Sequence, residues 1–306
     1  MNVYGAMVDR PRMVGIACAT GAVMLGAVYL AAAGAPARYV AINAGAFVIA
    51  IGLLALLDRA FEADRYRAAA SAAMAAALLA TALLGVQVEG AARWVSVAGL
   101  SLQPSLILLP VMLASFARSR GAAATAGIVM AAIALALQPD RAMAGMLVAG
   151  LAALAILRRD RHVIAALGVS VTGFAATLAR ADTLPAVPYV DRILYSSFDV
   201  HAVAGAAVLG GSAMLLVPAI VGWRRDPANR PSYLVLGVVW SAAIAAAALG
   251  NYPTPVVGYG GSAILGYVLS LLALPKRVAA PFEAGARNSG GFVAAPEGRH
   301  LRVLLA

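Results

Sequence analysis

Charge is scarce in this sequence. Asp, Glu, Lys and Arg make up only 12% of its 306 residues, about half the roughly 25% usual in a soluble protein. That excludes an ordinary water-soluble domain. Lysine is nearly absent: Lys276 stands alone, and every other basic residue is Arg. Cys18 is the one cysteine. It excludes an intramolecular disulfide and a cysteine metal cluster, and inside an apolar run it reads as a small core residue. The three histidines, His162, His201 and His300, have no metal-ligand spacing.

What replaces charge is hydrocarbon. The chain is 63% hydrophobic with a mean hydropathy of +0.88, against roughly 45–50% apolar residues in soluble domains. Ten runs are candidates to cross a membrane, since about 17–25 residues suffice: 13–33, 39–57, 68–85, 102–117, 121–137, 141–157, 162–179, 200–222, 232–249 and 258–274. The first run is long enough to span and is followed by similar runs, so it reads as a retained helix and not a signal peptide. The expected fold is an all-α integral membrane protein of ten transmembrane helices over 1–275. A basic, Gly- and Pro-containing tail, 276–306, is expected to be disordered.

The net charge of +10 suggests nucleic acid only until the charges are placed. They sit in the short gaps between apolar runs. With ten spans, eighteen of the 23 Lys and Arg fall on one side and five (Arg38, Arg93, Arg141, Arg180, Arg192) on the other. The positive-inside rule then puts both termini in the cytoplasm and leaves no role for nucleic acid. Four of the outward loops are informative: 86–101, 138–141, 180–199 and 250–257.

The outer loops hold the residues most suited to chemistry, each with a structural reading beside the functional one. Gln103-Pro104-Ser105 reads as a helix start, with Pro in the first turn, or as a substrate contact. Gln138-Pro139-Asp140 is a tight turn whose Asp140 either caps the next helix or serves a site. Trp94 suits the membrane interface or a wall against sugar or lipid. Arg93 can fork onto phosphate oxygens or pair with Glu89. The run Gly258-Tyr259-Gly260-Gly261-Ser262 either lets helices pack closely or cradles a pyrophosphate with backbone N–H groups. Asp199, with His201 near it, is an inert acid at the membrane edge or a general base.

Four segments, in order, resemble motifs of the SEDS family (shape, elongation, division and sporulation proteins). GVQVEGAARWVSVAGLSLQPS, Gly85 to Ser105, is similar to the family's G-x-N-G-A-x-R-W…Q-P-S-E. QPD, Gln138 to Asp140, is similar to Q-P-D-x-G-T. GNYPTPVVGYGGSAIL, Gly250 to Leu265, is similar to L-P-x-T-G…P-x-x-S-Y-G-G-S. VPYVDRIL, Val187 to Leu194, is similar to P-Y-Q-x-x-R-I-x-x-F. The family fold has ten membrane helices with both ends inside. The departures are Leu106 in place of the family's Glu after Q-P-S, Arg141-Ala142 in place of Gly-Thr after Q-P-D, and an outer loop of only about 20 residues between the seventh and eighth runs.

The resemblance implies a peptidoglycan glycosyltransferase of the bacterial plasma membrane, active in cell division or cell-shape control. It would polymerise lipid II, the undecaprenyl-pyrophosphate-linked precursor, with a class B penicillin-binding protein as partner. It implies Asp199 as the catalytic carboxylate, through FDVHAV, with Asp191 as the alternative. Substrate contacts would come from Arg93, Trp94, Gln103, Ser105, Asp140, Arg192, Tyr259, Gly260, Gly261 and Ser262. No cofactor is evident; a divalent cation would suit a pyrophosphate leaving group, though no metal motif accompanies it. The rival readings are a SEDS-like scaffold or regulator without turnover and, against the near-absence of charge in the spans, a flippase for the lipid-linked precursor.

Overall fold

A computed structural model of the chain describes residues 10–58 and 64–277. The expected tail therefore lies, from residue 278 on, outside the described residues. The helices are α1 (Pro11–Ala32), α2 (Ala37–Leu57), α3 (Asp64–Leu84), α4 (Pro104–Arg118), α5 (Ala122–Leu137), α6 (Arg141–Leu157), α7 (Arg161–Leu178), α8 (Ile193–Val200), α9 (Ala202–Met214), α10 (Val217–Arg225), α11 (Arg230–Leu249) and α12 (Gly261–Ser270), which ends in a 3-10 turn, Leu271–Ala273. Among the described residues six helical stretches are long and apolar enough to cross a membrane, and four shorter apolar helices accompany them. The protein is an all-α, multi-pass membrane protein.

Two expected stretches have internal structure. The run 200–222 forms one membrane-length helical stretch, Ala202–Arg225, interrupted by a two-residue turn between α9 and α10 at Leu215–Leu216. Pro218 stands within the first turn of α10 and cannot continue an incoming helix, because it has no N–H and its ring clashes with the carbonyl four residues back. The Tyr267 hydroxyl donates to the Leu215 carbonyl, within this turn, at 3.0 Å. Secondly, 86–101 is not an irregular loop. It is an antiparallel meander of β1 (Val86–Val88), β2 (Ala91–Val97) and β3 (Leu100–Leu102). Glu89-Gly90 and Ala98-Gly99 all have positive φ, and each pair bridges strands in two residues, as Val88 faces Ala91 and Val97 faces Leu100. Positive φ at both central residues defines the hairpin turn that matches strand twist.

Packing relies on small residues. α12 lies between α2 and α4, α3 packs on α5, α9 on α1 and α11 on α6. In lipid there is little hydrophobic drive between helices, so close backbone approach carries the association. A side chain at Gly266 would run into the Leu106 carbonyl oxygen of α4, and one at Gly26 would lie 2.6 Å from the Val257 carbonyl.

Polar contacts sort to the two ends of the bundle. At one end Arg12 reaches Asp58 and the carbonyls of Leu272 and Leu274, and Lys276 joins Asp58 at 2.7 Å. Arg118 donates to the Ala273 carbonyl at that end, and Arg120 pairs with Asp160. At the other end Arg93, Asp182 and Tyr252 meet. These are the same two sets of loops that alternate in the ten-span reading.

Gly266→Ala should force α12 away from α4 and lower stability by about 1–3 kcal/mol, the usual cost of overpacking. Gly52→Ala, where an added methyl meets nothing within 4 Å, should be neutral or slightly stabilising. Thermal unfolding of the purified variants in one detergent distinguishes the two.

Candidate functional site

The starts of α4 and α6 are held by one buried carboxylate, and α12 is tied to them through Gln103. Asp140 is fully buried. Its Oδ1 accepts the Met143 N–H at 3.2 Å, capping α6. Its Oδ2 accepts Gln103 Nε2 at 3.0 Å and the Ser105 hydroxyl at 2.8 Å. The Gln103 N–H in turn donates to Ser262 Oγ, 2.9 Å away on the first turn of α12. Gln103, Ser105, Asp140 and Ser262, proposed separately from sequence, thus form one hydrogen-bonded network. Its origins are local: Pro104 opens α4, Asp140 caps α6, and Gly260 precedes α12.

Arg93, on β2, is 4% exposed. It does not pair with Glu89. Its guanidinium donates to the Pro139 carbonyl and, at 3.1 Å, to Asp182. The Tyr252 hydroxyl donates to the same Asp182 oxygen at 2.6 Å. Burial works against an ionised Asp182, but the Tyr252 hydroxyl and the Arg93 and Arg141 guanidiniums outweigh it and hold this carboxyl below the usual range. Burial, reinforced by the Asp182 carboxylate, pushes the Tyr252 phenol up. Beside this trio, between α6, α7 and α11, lies a cavity of about 530 Å³ with Arg141, Asp182, Asn251 and Tyr252 at its polar side and Phe174 and Leu249 among its apolar walls. Pockets that take small ligands have roughly this size and mix of surfaces.

The segment 180–192 straps across the third motif. Thr254 N–H donates to the Val190 carbonyl and Tyr259 N–H to the Tyr189 carbonyl, at 2.9 and 2.7 Å. Tyr259 stacks on Tyr39 with ring centroids 3.8 Å apart. Asn43 accepts from Gly260 N–H and donates to the Gly258 carbonyl. Where strap and motif cross, Tyr189, Arg192 and Val256 have left-handed backbones. For a β-branched residue such as Val256 that is a true outlier, and such strain gathers at functional sites at a cost of order 1–3 kcal/mol each.

The two candidate bases differ. Asp191 is buried beside Pro253 and accepts the Val187 N–H at 2.8 Å. Burial raises its carboxyl above the ordinary range, against that hydrogen bond. Asp199 lies exposed in the last turn of α8, with no hydrogen bond to it among the described residues. Arg192 is exposed at the start of the same helix. Neither Asp199 nor Arg192 joins the Asp140 network, while Trp94 is half-buried opposite Val86. Gly261 begins α12 against Ala46. Among the described residues no three His, Cys, Asp or Glu side chains gather closely enough to hold a metal. Asp182, Asn43, Tyr189 and Tyr252 went unnoticed in the sequence. Asp182 had one available signal, its rarity: it is one of only five acidic residues in the outer loops.

The fold and this outer layer define a class: multi-pass α-helical membrane proteins with a polar, hydrogen-bonded cap over one end of the bundle. No family model matches the sequence, and no curated protein sequence does. Solved structures do. The crystal structure of Thermus thermophilus rod shape determining protein RodA matches with a TM-score of 0.62 at 19% identity, over 84% of this chain and 93% of that one. An aspartate-to-alanine mutant of it matches at 0.61 and 20%, over 84% and 94%. A chain from a peptidoglycan synthase complex, described for its structural coordination of polymerization and crosslinking, matches at 0.59 and 20%, over 84% and 94%. The chain has the RodA fold.

Asp182→Asn should remove the charge partner of the buried Arg93 guanidinium, leaving it the Pro139 carbonyl. We expect a loss of about 3 kcal/mol at neutral pH, the low end for breaking a buried pair. Because the folded-state carboxyl lies below its unfolded value, this contribution is present above the unfolded value of about 3.9 and is lost as pH falls through the folded one. Unfolding followed from pH 7 into acid should show wild type and variant converging.

Proposed function

We propose that this protein is a SEDS-type peptidoglycan glycosyltransferase that polymerises lipid II at the outer face of the bacterial plasma membrane, alongside a class B penicillin-binding protein. The observation that carries the proposal is the RodA fold over 84% of the chain, with the motif-bearing residues Gln103, Asp140 and Ser262 hydrogen-bonded at one end of it. The names of the matching structures refer to rod shape and to a peptidoglycan synthase.

In the proposed reaction a sugar hydroxyl of the acceptor attacks the anomeric carbon of the donor chain. The new C–O bond forms as the bond from that carbon to the pyrophosphate oxygen breaks, and undecaprenyl pyrophosphate leaves with the electron pair. A carboxylate takes the hydroxyl proton. Asp199 is our choice because it is open to solvent and spends neither oxygen on the protein, whereas Asp191 is committed to the Val187 turn. Arg93 and Arg192 would steady the pyrophosphate. For Arg93 that requires exchanging its single Asp182 contact for phosphate oxygens, onto which a guanidinium can fork. A divalent cation at the leaving group would supply further charge stabilisation.

A second reading, a SEDS-like scaffold without turnover, draws on the same Asp182 contact: it keeps the buried Arg93 guanidinium engaged. Polymerisation of lipid II by the purified protein with its penicillin-binding partner decides between them. Asp199→Asn should lower polymer yield by about 10²–10⁴-fold, the usual worth of general acid–base catalysis, with membrane insertion unchanged, and Asp191→Asn should cost less. Full activity of Asp199→Asn with a dead Asp191→Asn would transfer the role to Asp191. The acid limb of the pH profile would then sit above the ordinary carboxylate range, since burial raises that group. Wild type inactive with every cognate partner would favour the scaffold.

A further inference from the structure

A second pocket, of about 200 Å³, lies at the opposite end of the bundle, which the arginine distribution assigns to the cytoplasm. It is bounded by Arg67 and Ser71 of α3, Ser115 and Ser119 at the end of α4, Arg120, and Gly121 with the first turn of α5. Nothing in the proposed polymerisation uses it.

Three features of this pocket point to one chemistry. The first N–H groups of a helix have no partner within it, and here the N-cap is Gly121, which supplies no side-chain acceptor. These donors, at the positive end of the α5 dipole, favour an anion. Independently, Ser115 is 7% exposed and its hydroxyl is buried without a hydrogen-bond partner. Helical hydroxyls at Thr81, Thr125, Ser170 and Thr172 fold back onto the carbonyl one turn earlier. Ser115, like Ser197 and Ser212, does not, and of these three it is the one that lines the pocket. A buried unmade hydrogen bond is costly, so the hydroxyl is a donor in want of an acceptor. Finally, two guanidiniums line the pocket. Arg120 is fixed by Asp160 at 2.8 Å and the Ala117 carbonyl at 2.6 Å, which uses two of its five N–H donors.

We propose that this pocket binds a phosphate group. Its oxygens would accept from the Ser115 hydroxyl and the first-turn N–H groups of α5, with the Arg67 and Arg120 charges beside them. The volume seats a phosphate and not a lipid chain, so the source is the headgroup of an inner-leaflet phospholipid or a free phosphate, held by the same groups.

Thermal unfolding of the full-length protein in uncharged detergent tests this, with added phosphatidic acid, inorganic phosphate or diacylglycerol at constant ionic strength. A ligand of the folded state raises the unfolding midpoint with its concentration. Phosphatidic acid should do so and diacylglycerol should not. A response to inorganic phosphate as well identifies a free-phosphate site; a response to phosphatidic acid alone identifies a headgroup site. Ser115→Ala removes the orphaned hydroxyl. It should leave the ligand-free midpoint unchanged or higher while weakening phosphate binding about tenfold or more, as loss of a hydrogen bond to a charged group does. Gly121→Asp, at a position where an added Cβ meets nothing within 4 Å, places a carboxylate on the same N–H groups and should abolish the response. No shift with either phosphate compound, an equal shift with diacylglycerol, or a response unchanged in either variant would overturn the proposal.

Discussion

A buried carboxylate tolerates few arrangements around it. Asp140 is shut away from water, and leaving such a group without donors costs several kcal/mol. Its two oxygens are satisfied only if α4 begins at Pro104 with Gln103 and Ser105 turned inward, and α6 begins directly after the turn. The Gln103 backbone then extends the constraint to Ser262 and α12. Two helix starts, far apart in the chain, are fixed by one side chain, and a third is tied to them through the Gln103 backbone. The hairpin is drawn in by the next residue back, since Arg93 holds the Pro139 carbonyl.

This arrangement divides the outer end into a fixed part and an exchangeable part. The Asp140 network is saturated and buried, which suits a frame. Asp182 and Tyr252 border a cavity, and Arg93 behind them meets Asp182 through charge. A guanidinium held by a carboxylate can be offered a phosphate instead, so the trio suits a site whose occupant changes. At the other end, Arg12, Asp58 and Lys276 join the start of α1 to the end of α12, closing the bundle where the proposed chemistry does not occur.

Much of this was legible in the sequence, for reasons that differ by element. Hydropathy located the helices because lipid admits few alternatives to them. Helix starts at Pro104 and Arg141 were legible because capping is decided by neighbours in sequence. The break after Met214 had a visible cause in Pro218, and the hairpins had theirs in Glu89-Gly90 and Ala98-Gly99, beneath a polar stretch that read as loop. The Arg93–Asp182 pair was not legible. The two residues are 89 positions apart, and an arginine's partner is chosen by tertiary proximity, so the nearer Glu89 was a misleading candidate. The Ser115 pocket was equally hidden, since α3, α4 and α5 build it only once packed.

The account rests most on the Asp140 carboxylate coupling separate helix starts. A double-mutant cycle of Ser105→Ala and Asp140→Asn, read by equilibrium unfolding of the purified protein in mixed micelles, addresses this directly. Residues in one buried network are expected to couple by about 0.5–3 kcal/mol, so Ser105→Ala should cost markedly less once Asp140 has become Asn. Effects that simply add, to within about 0.3–0.5 kcal/mol, would contradict the network and with it the organisation of the outer site.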